Sequence, residues 1–134
     1  MTLAGLVLGT ACRNRPPAAD TAMAGRVTVV TREEIVAMRA ATAWDVVVAR
    51  APRLRTTGEP GRPNDLRIQE TRSINADEAP LLVVDGAQGF DLTWLTQLPA
   101  SEVAFIRILS AEAAEPLYGL RAAGGAIEVV TRMR

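Results

Sequence analysis

Pro80-Leu81-Leu82-Val83-Val84-Asp85-Gly86 opens the last third of the chain, and Ala104-Phe105-Ile106-Arg107-Ile108-Leu109 follows it. Leu117-Tyr118-Gly119-Leu120-Arg121-Ala122-Ala123-Gly124-Gly125-Ala126-Ile127-Glu128-Val129-Val130-Thr131-Arg132 then runs almost to the end. Leu81 to Val84 is an unbroken apolar run between Pro80 and Asp85-Gly86. That pattern predicts a strand buried on both faces, central in its sheet and ending in a tight turn. Between 104 and 109, Ile106 and Ile108 make one apolar face, while Arg107 interrupts the other between Phe105 and Leu109. Ser110 is placed to cap a short helix from Ala111 to Leu117, with Glu112 and Glu115 toward its positive end. Gly119, Gly124 and Gly125 mark turns that need positive φ or close backbone contact. Ala126 to Val130 is the last predicted strand.

Working outward, Val27-Thr28-Val29-Val30 is a β-branched run suited to a strand. Thr31-Arg32-Glu33-Glu34 has the spacing of a capping box and starts a helix at Arg32, with Ile35, Met38 and Ala41 on its apolar face. A second box, Thr42-Ala43-Trp44-Asp45, starts another helix. Its expected inward residues are Trp44, Val47 and Val48, Arg50 sits near its negative end, and Pro52 stops it. Leu54 to Thr56 and Leu66 to Gln69 read as short strands around a turn-rich loop from Gly58 to Asp65, and Thr71 to Glu78 reads as a further loop. Asp91 is the expected N-cap of a short helix carrying Leu92, Leu95 and Leu98 and ended by Pro99, and Ser101 to Val103 adds a helical turn. The elements do not repeat as regular βαβ units. They predict an α+β fold, a small mixed β-sheet packed with short helices.

Composition narrows the function. The chain has 134 residues, enough for one domain with a real core, and 49% hydrophobic against 4% aromatic residues makes that core aliphatic. Fifteen basic and 15 acidic residues cancel, which leaves no overall field to attract nucleic acid. Arg50, Arg53, Arg55, Arg62, Arg67 and Arg72 form a sparse basic segment read as a solvated loop paired with Glu59, Asp65 and Glu70. With no His and one Cys, metal coordination and acid–base or nucleophilic catalysis lack their usual groups. No enzyme activity, cofactor or metal is expected.

The ordered elements resemble the plug domain of TonB-dependent outer-membrane receptors. The resemblance rests on Val83-Val84-Asp85-Gly86, Pro99-Ala100-Ser101-Glu102-Val103, Ile106-Arg107-Ile108-Leu109, Tyr118-Gly119 and Gly125 to Arg132, with Thr31-Arg32-Glu33-Glu34-Ile35 and Ala43-Trp44-Asp45-Val46-Val47 in the front half. It spans about Val27 to Arg132. Arg107 stands where that family usually carries Glu, and Ser110 where it commonly has a Gly or small residue. The resemblance implies family-motif positions at Asp85, Gly86, Tyr118, Gly119, Gly125 and Thr131, each also explained by turn and strand chemistry.

The amino terminus adds a second resemblance. Leu3-Ala4-Gly5-Leu6-Val7-Leu8 is an apolar run too short to span a bilayer, and it ends in Gly9-Thr10-Ala11-Cys12. The pattern is similar to a bacterial lipoprotein processing site and implies lipidation at Cys12. Leu8 lies four residues before the Cys where that family has Leu three before, and no basic residue precedes the run. The expected layout is a leader at 1–12, a flexible tether at 13–25 and a plug-like domain at 26–134. The expected role is a lipid-anchored cell-envelope interaction module, at the periplasmic face of the outer membrane or in the periplasm. It would meet an envelope protein, a receptor barrel or a carried ligand through the loops at 56–65 and 86–91. The alternative is part of a transporter whose barrel is encoded separately.

Overall fold

A computed structural model describes residues 26–51, 54–56, 62–68 and 78–132. The leader, the tether and Cys12 lie outside them. Among the described residues seven strands form: β1 (Val27–Val30), β2 (Leu54–Thr56), β3 (Leu66–Ile68), β4 (Leu81–Val84), β5 (Ala87–Phe90), β6 (Val103–Leu109) and β7 (Ala126–Thr131). Four helices accompany them: α1 (Arg32–Met38), α2 (Ala43–Arg50), α3 (Trp94–Gln97) and α4 (Ala111–Tyr118). The main sheet has the order β1-β6-β7-β4-β5, and β2 and β3 make a separate antiparallel pair. Within the main sheet only β4 and β7 run parallel. The expected α+β class with a mixed sheet is what forms.

Local chemistry explains most boundaries. Thr31 and Thr42 each accept from the backbone at the third helical residue, while Glu34 and Asp45 reach back to the cap N–H, so both capping boxes form. Two donors at each helix start are thereby satisfied. Helix α1 stops one turn earlier than its apolar spacing suggested, at an Arg39 held at φ 52, and Ala41 is exposed beyond it. In α2 the inward residues are Ala43, Val46 and Val47, Trp44 is partly buried, and Val48 turns outward at 51% exposure. A helix only two turns long has room for one inward stripe, and Ala43, Val46 and Val47 share it at i, i+3 and i+4.

Three further expectations are corrected. The stretch 86–91 is a strand for most of its length, because Asp85 and Gly86 both take positive φ and form the two-residue turn that folds β5 back on β4. Strand β4 therefore lies one place in from the edge, and β7 holds the centre. Thr93, in place of the expected Asp91, occupies the cap position of α3 but caps no helix N–H with its side chain; Asp91 instead accepts from the Thr93 N–H and hydroxyl. Pro63–Asp65 form a single 3-10 turn inside the predicted loop, and Ala100–Glu102 form another.

The sheet buries its two faces unequally. On one, Leu82, Val84, Ile106, Ile108, Ile127 and Val129 pack with Ile35, Val46, Val47, Leu92, Leu95 and Leu98 from the α1–α3 side. Each fully buried aliphatic side chain contributes about 1.5–3 kcal/mol. On the other, Leu109 and Ala126 meet only Ala113, Ala114 and Ala122 of the α4 region, with Leu81 and Tyr118 at the margin. Small side chains let α4 lie close to the sheet but remove little apolar surface from water.

Gly124 is fixed by proximity rather than by backbone angle. A Cβ there would lie 2.4 Å from the Glu78 carbonyl oxygen and 2.7 Å from that of Ala79. Gly86 combines φ 86 with open space around a would-be Cβ. We expect Gly124→Ala to destabilise the fold by about 1–3 kcal/mol through backbone displacement. Gly86→Ala should cost about 1–2 kcal/mol through the left-handed backbone alone. Urea midpoints of the two variants check both values.

Candidate functional site

Of the residues expected at family-motif positions, Asp85, Gly86 and Thr131 meet at one end of the parallel β4–β7 pair and Gly125 lies at the other. At the end where both strands terminate, the Asp85 carboxylate accepts from the Thr131 N–H at 2.8 Å and from its hydroxyl at 2.6 Å. The Asp85 N–H in turn donates to Val129 O at 3.0 Å. The tight turn leaving β4 is thus stitched to the last residue of β7. Asp85 and Gly86 shape the turn, and Thr131 receives it.

At the starting end, Gly125 takes φ 89, and its carbonyl accepts from the Leu81 N–H at 2.9 Å. A Cβ on Gly125 would sit 2.7 Å from Leu109 O, so the chain enters β7 through a gap sized for hydrogen. Gly119 ends α4 at φ 70 and ψ −160, a conformation reserved in practice for glycine. The structure therefore brings Asp85, Gly86 and Thr131 together, leaves Gly125 at the other end of β7, and sets Tyr118 and Gly119 apart at the close of α4.

Tyr118 belongs to a polar cluster on the lightly covered sheet face. Arg107 of β6 lies directly opposite Glu128 of β7, and its guanidinium donates to the Glu128 carboxylate through Nε and Nη2. The Arg107 side chain is 38% exposed against 12% for Glu128, so the acid is the sheltered partner. Tyr118, from the end of α4, lies near enough to the pair for its phenol to feel both charges. Burial raises the phenol above its ordinary value, with the Glu128 charge adding to the rise and Arg107 opposing it. The Arg at position 107 thus builds an internal ion pair. Sequence reading singled out Arg107 but not Glu128, although both interrupt apolar strands at single positions.

Ser110 has a second role besides capping. Its hydroxyl accepts from the Ala113 N–H and, at 2.9 Å, from the Arg26 N–H, so the start of β1 is tied to the start of α4. Arg50 pairs with Glu34 at 2.9 Å, while Glu59 and Glu70, two of the acids expected to pair with its segment, lie outside the described residues. Glu34 is held below its ordinary value first by the Thr31 backbone bond and then by Arg50. Asp91 is lowered chiefly by its Thr93 bonds, and an Asn64 side-chain bond links the β2–β3 segment to the β5–α3 corner. Among the described residues no group of three or more His, Cys, Asp or Glu can hold a metal ion, and no helix is long and apolar enough to cross a membrane.

Two variants measure the stitch and the cluster. Asp85→Ala removes two charge-assisted bonds and should cost about 1–3 kcal/mol, against about 1 kcal/mol for Thr131→Val, which keeps its backbone donor; chemical denaturation compares them. Tyr118 is the sole tyrosine, so absorbance titration reads it directly. Its midpoint should lie above 10, and Glu128→Gln should lower it without fully restoring the ordinary value, because burial is the larger cause. A folded value above the unfolded one supplies stability that is fully present below pH 10 and is lost as pH rises through the folded value.

The comparisons with known proteins agree with this architecture. The profile of the TonB-dependent Receptor Plug Domain matches residues 19–126. TonB-dependent receptor P3 of Formosa agariphila is 33% identical over 115 residues, covering 82% of this chain and 11% of the receptor. The RagAB peptide importer in its closed-closed state superposes with a TM-score of 0.54 at 26% identity, over 81% of this chain and 12% of that one. The siderophore receptor PirA from Acinetobacter baumannii gives 0.57 at 25% identity, over 80% of this chain and 17% of that one. The chain thus spans about a tenth of the length of its curated relative. With a profile match over most of its length, a relative at 33% identity and a shared fold, the chain belongs to the TonB-dependent receptor plug domain family.

Proposed function

We propose that this chain is a non-enzymatic plug module of the cell envelope, seated against a transmembrane β-barrel that it helps to close. The observation that carries the reading is the match of residues 19–126 to the plug profile, joined to a fold shared with the plug-bearing receptors. The two solved relatives carry different cargoes by name, a peptide and a siderophore, at similar likeness. What the chain shares with them is therefore the scaffold that closes a barrel, and cargo choice falls to exposed segments such as strand β5 with the turn before it. All four residues of β5 are exposed, and Phe90 stacks at a tilt on Trp94 with ring centres 5.6 Å apart.

Anchoring is the second part of the proposal. The apolar run from Leu3 to Leu8 and the small residues before Cys12 support lipidation at that cysteine, which would hold the module at the membrane where its barrel lies. The two parts are tested separately. Photo-crosslinking from position 88 or 90 in living cells should trap an outer-membrane β-barrel; recovery of the chain only as a soluble species with no barrel adduct would overturn the plug reading. Labelled palmitate should enter the wild type and not Cys12→Ala, and equal labelling of the two, or none in either, removes the anchor.

A further inference from the structure

The two outer strands of the main sheet are finished differently. Strand β5 is blunted: its register slips between Leu82 and Val83, and Gly89 sits at φ 95, so its outer edge is bent. Strand β1 has neither a break in register nor a charge, and all four of its residues are β-branched. Among the described residues nothing pairs with its outer edge. An edge of this kind is a template for another strand.

The direction of its free groups follows from one bond pair. Arg26 faces β6, since its carbonyl accepts from the Ser110 N–H and its own N–H donates to the Ser110 hydroxyl. Alternation then turns Thr28 and Val30 inward and leaves the N–H and C=O of Val27 and Val29 pointing away from the sheet. Those same two valines have side chains 49% exposed, on the face opposite the main core.

We infer that β1 is a self-pairing edge through which two copies of this chain join by an antiparallel β1–β1 contact centred on Thr28. With Thr28 facing its own copy, Val27 of each chain lies opposite Val29 of the other, and their outward N–H and C=O groups are matched. The half-exposed valines of both copies gather on one face, and the two threonines meet as a favourable cross-strand pair. The contact is isologous, so a single favourable pairing is made twice.

Charge complementarity favours a second copy over an arbitrary strand. In this register Arg26 lies opposite Val30 of the second copy, beside the first turn of that copy's α1. Of the charged residues there, Arg32 donates to the Ala100 and Val103 carbonyls and Glu34 is taken by Thr31 and Arg50. Glu33 has no partner among the described residues and is exposed, as is Arg26. Each copy therefore offers one unengaged cation and one unengaged acid in reciprocal positions. The contact is small, below the roughly 1,200 Å² of stable interfaces, so the association is reversible.

Sedimentation equilibrium of the full chain over a wide concentration range tests this. The wild type should form a concentration-dependent dimer. Val29→Lys should abolish it, and Arg26→Glu or Glu33→Arg alone should weaken it by about tenfold. The double variant Arg26→Glu/Glu33→Arg should recover affinity to near the wild-type value, with circular dichroism confirming the fold in each case. A wild type that stays monomeric, a dimer indifferent to Val29→Lys, or a double variant no better than the singles would overturn the proposal. None of these outcomes depends on whether the chain closes a barrel.

Discussion

The pairing of β7 with β6 on one side and β4 on the other is the constraint on which the rest of the molecule depends. Ile127 and Val129 on one face and Ala126 on the other are fully buried, so β7 contributes to both hydrophobic layers. Its parallel bond to β4 sets where the Asp85 turn must end, and its antiparallel bond to β6 sets Arg107 against Glu128. A slip of one residue would turn Glu128 into the main core and lift Ile127 out of it. Gly124 and Gly125 at one end of the strand and Asp85 at the other resist that slip, because each fits a single backbone position.

The inequality of the two faces also follows from that strand. The α1–α3 side is built of branched aliphatic side chains interlocked with Ile127 and Val129, whereas the α4 side rests on alanines. Polar contacts carry more of the burden there. Arg107 and Glu128 pair across the sheet beneath α4, Tyr118 packs at the margin of the small cluster, and Ser110 holds the beginning of the helix. The sheltered Glu128 is compensated by a fork of donors, the condition under which a partly buried acid is tolerated.

Sequence patterning disclosed the elements whose determinants are local. Thr31-x-x-Glu34 and Thr42-x-x-Asp45 form the boxes their spacing implied, and the alternation in 104–109 and the run 81–84 became the expected strands, the first beginning one residue earlier, at Val103. What it hid depends on partners far along the chain. The Asp85–Thr131 stitch spans 46 residues and the Arg107–Glu128 pair 21, separations at which no periodicity signals contact. Strand β5 was missed because Ala87-Gln88-Gly89-Phe90 has little strand preference of its own and is imposed by the turn before it. The outward turn of Val48 in place of Val46 had the same origin, since a two-turn helix shows its inward stripe only against its neighbours.

The bond from Arg26 to Ser110 joins residues 84 positions apart, and β1 has no other strand neighbour among the described residues. On a chain emerging from the ribosome, β1 must therefore wait until β6 has been made before it can be covered. The loop to be closed is long, and its entropy is met only when β6 is already in place. The topology thus sets one limit on assembly: β1 stays an open edge until the later β6 is available to pair with it.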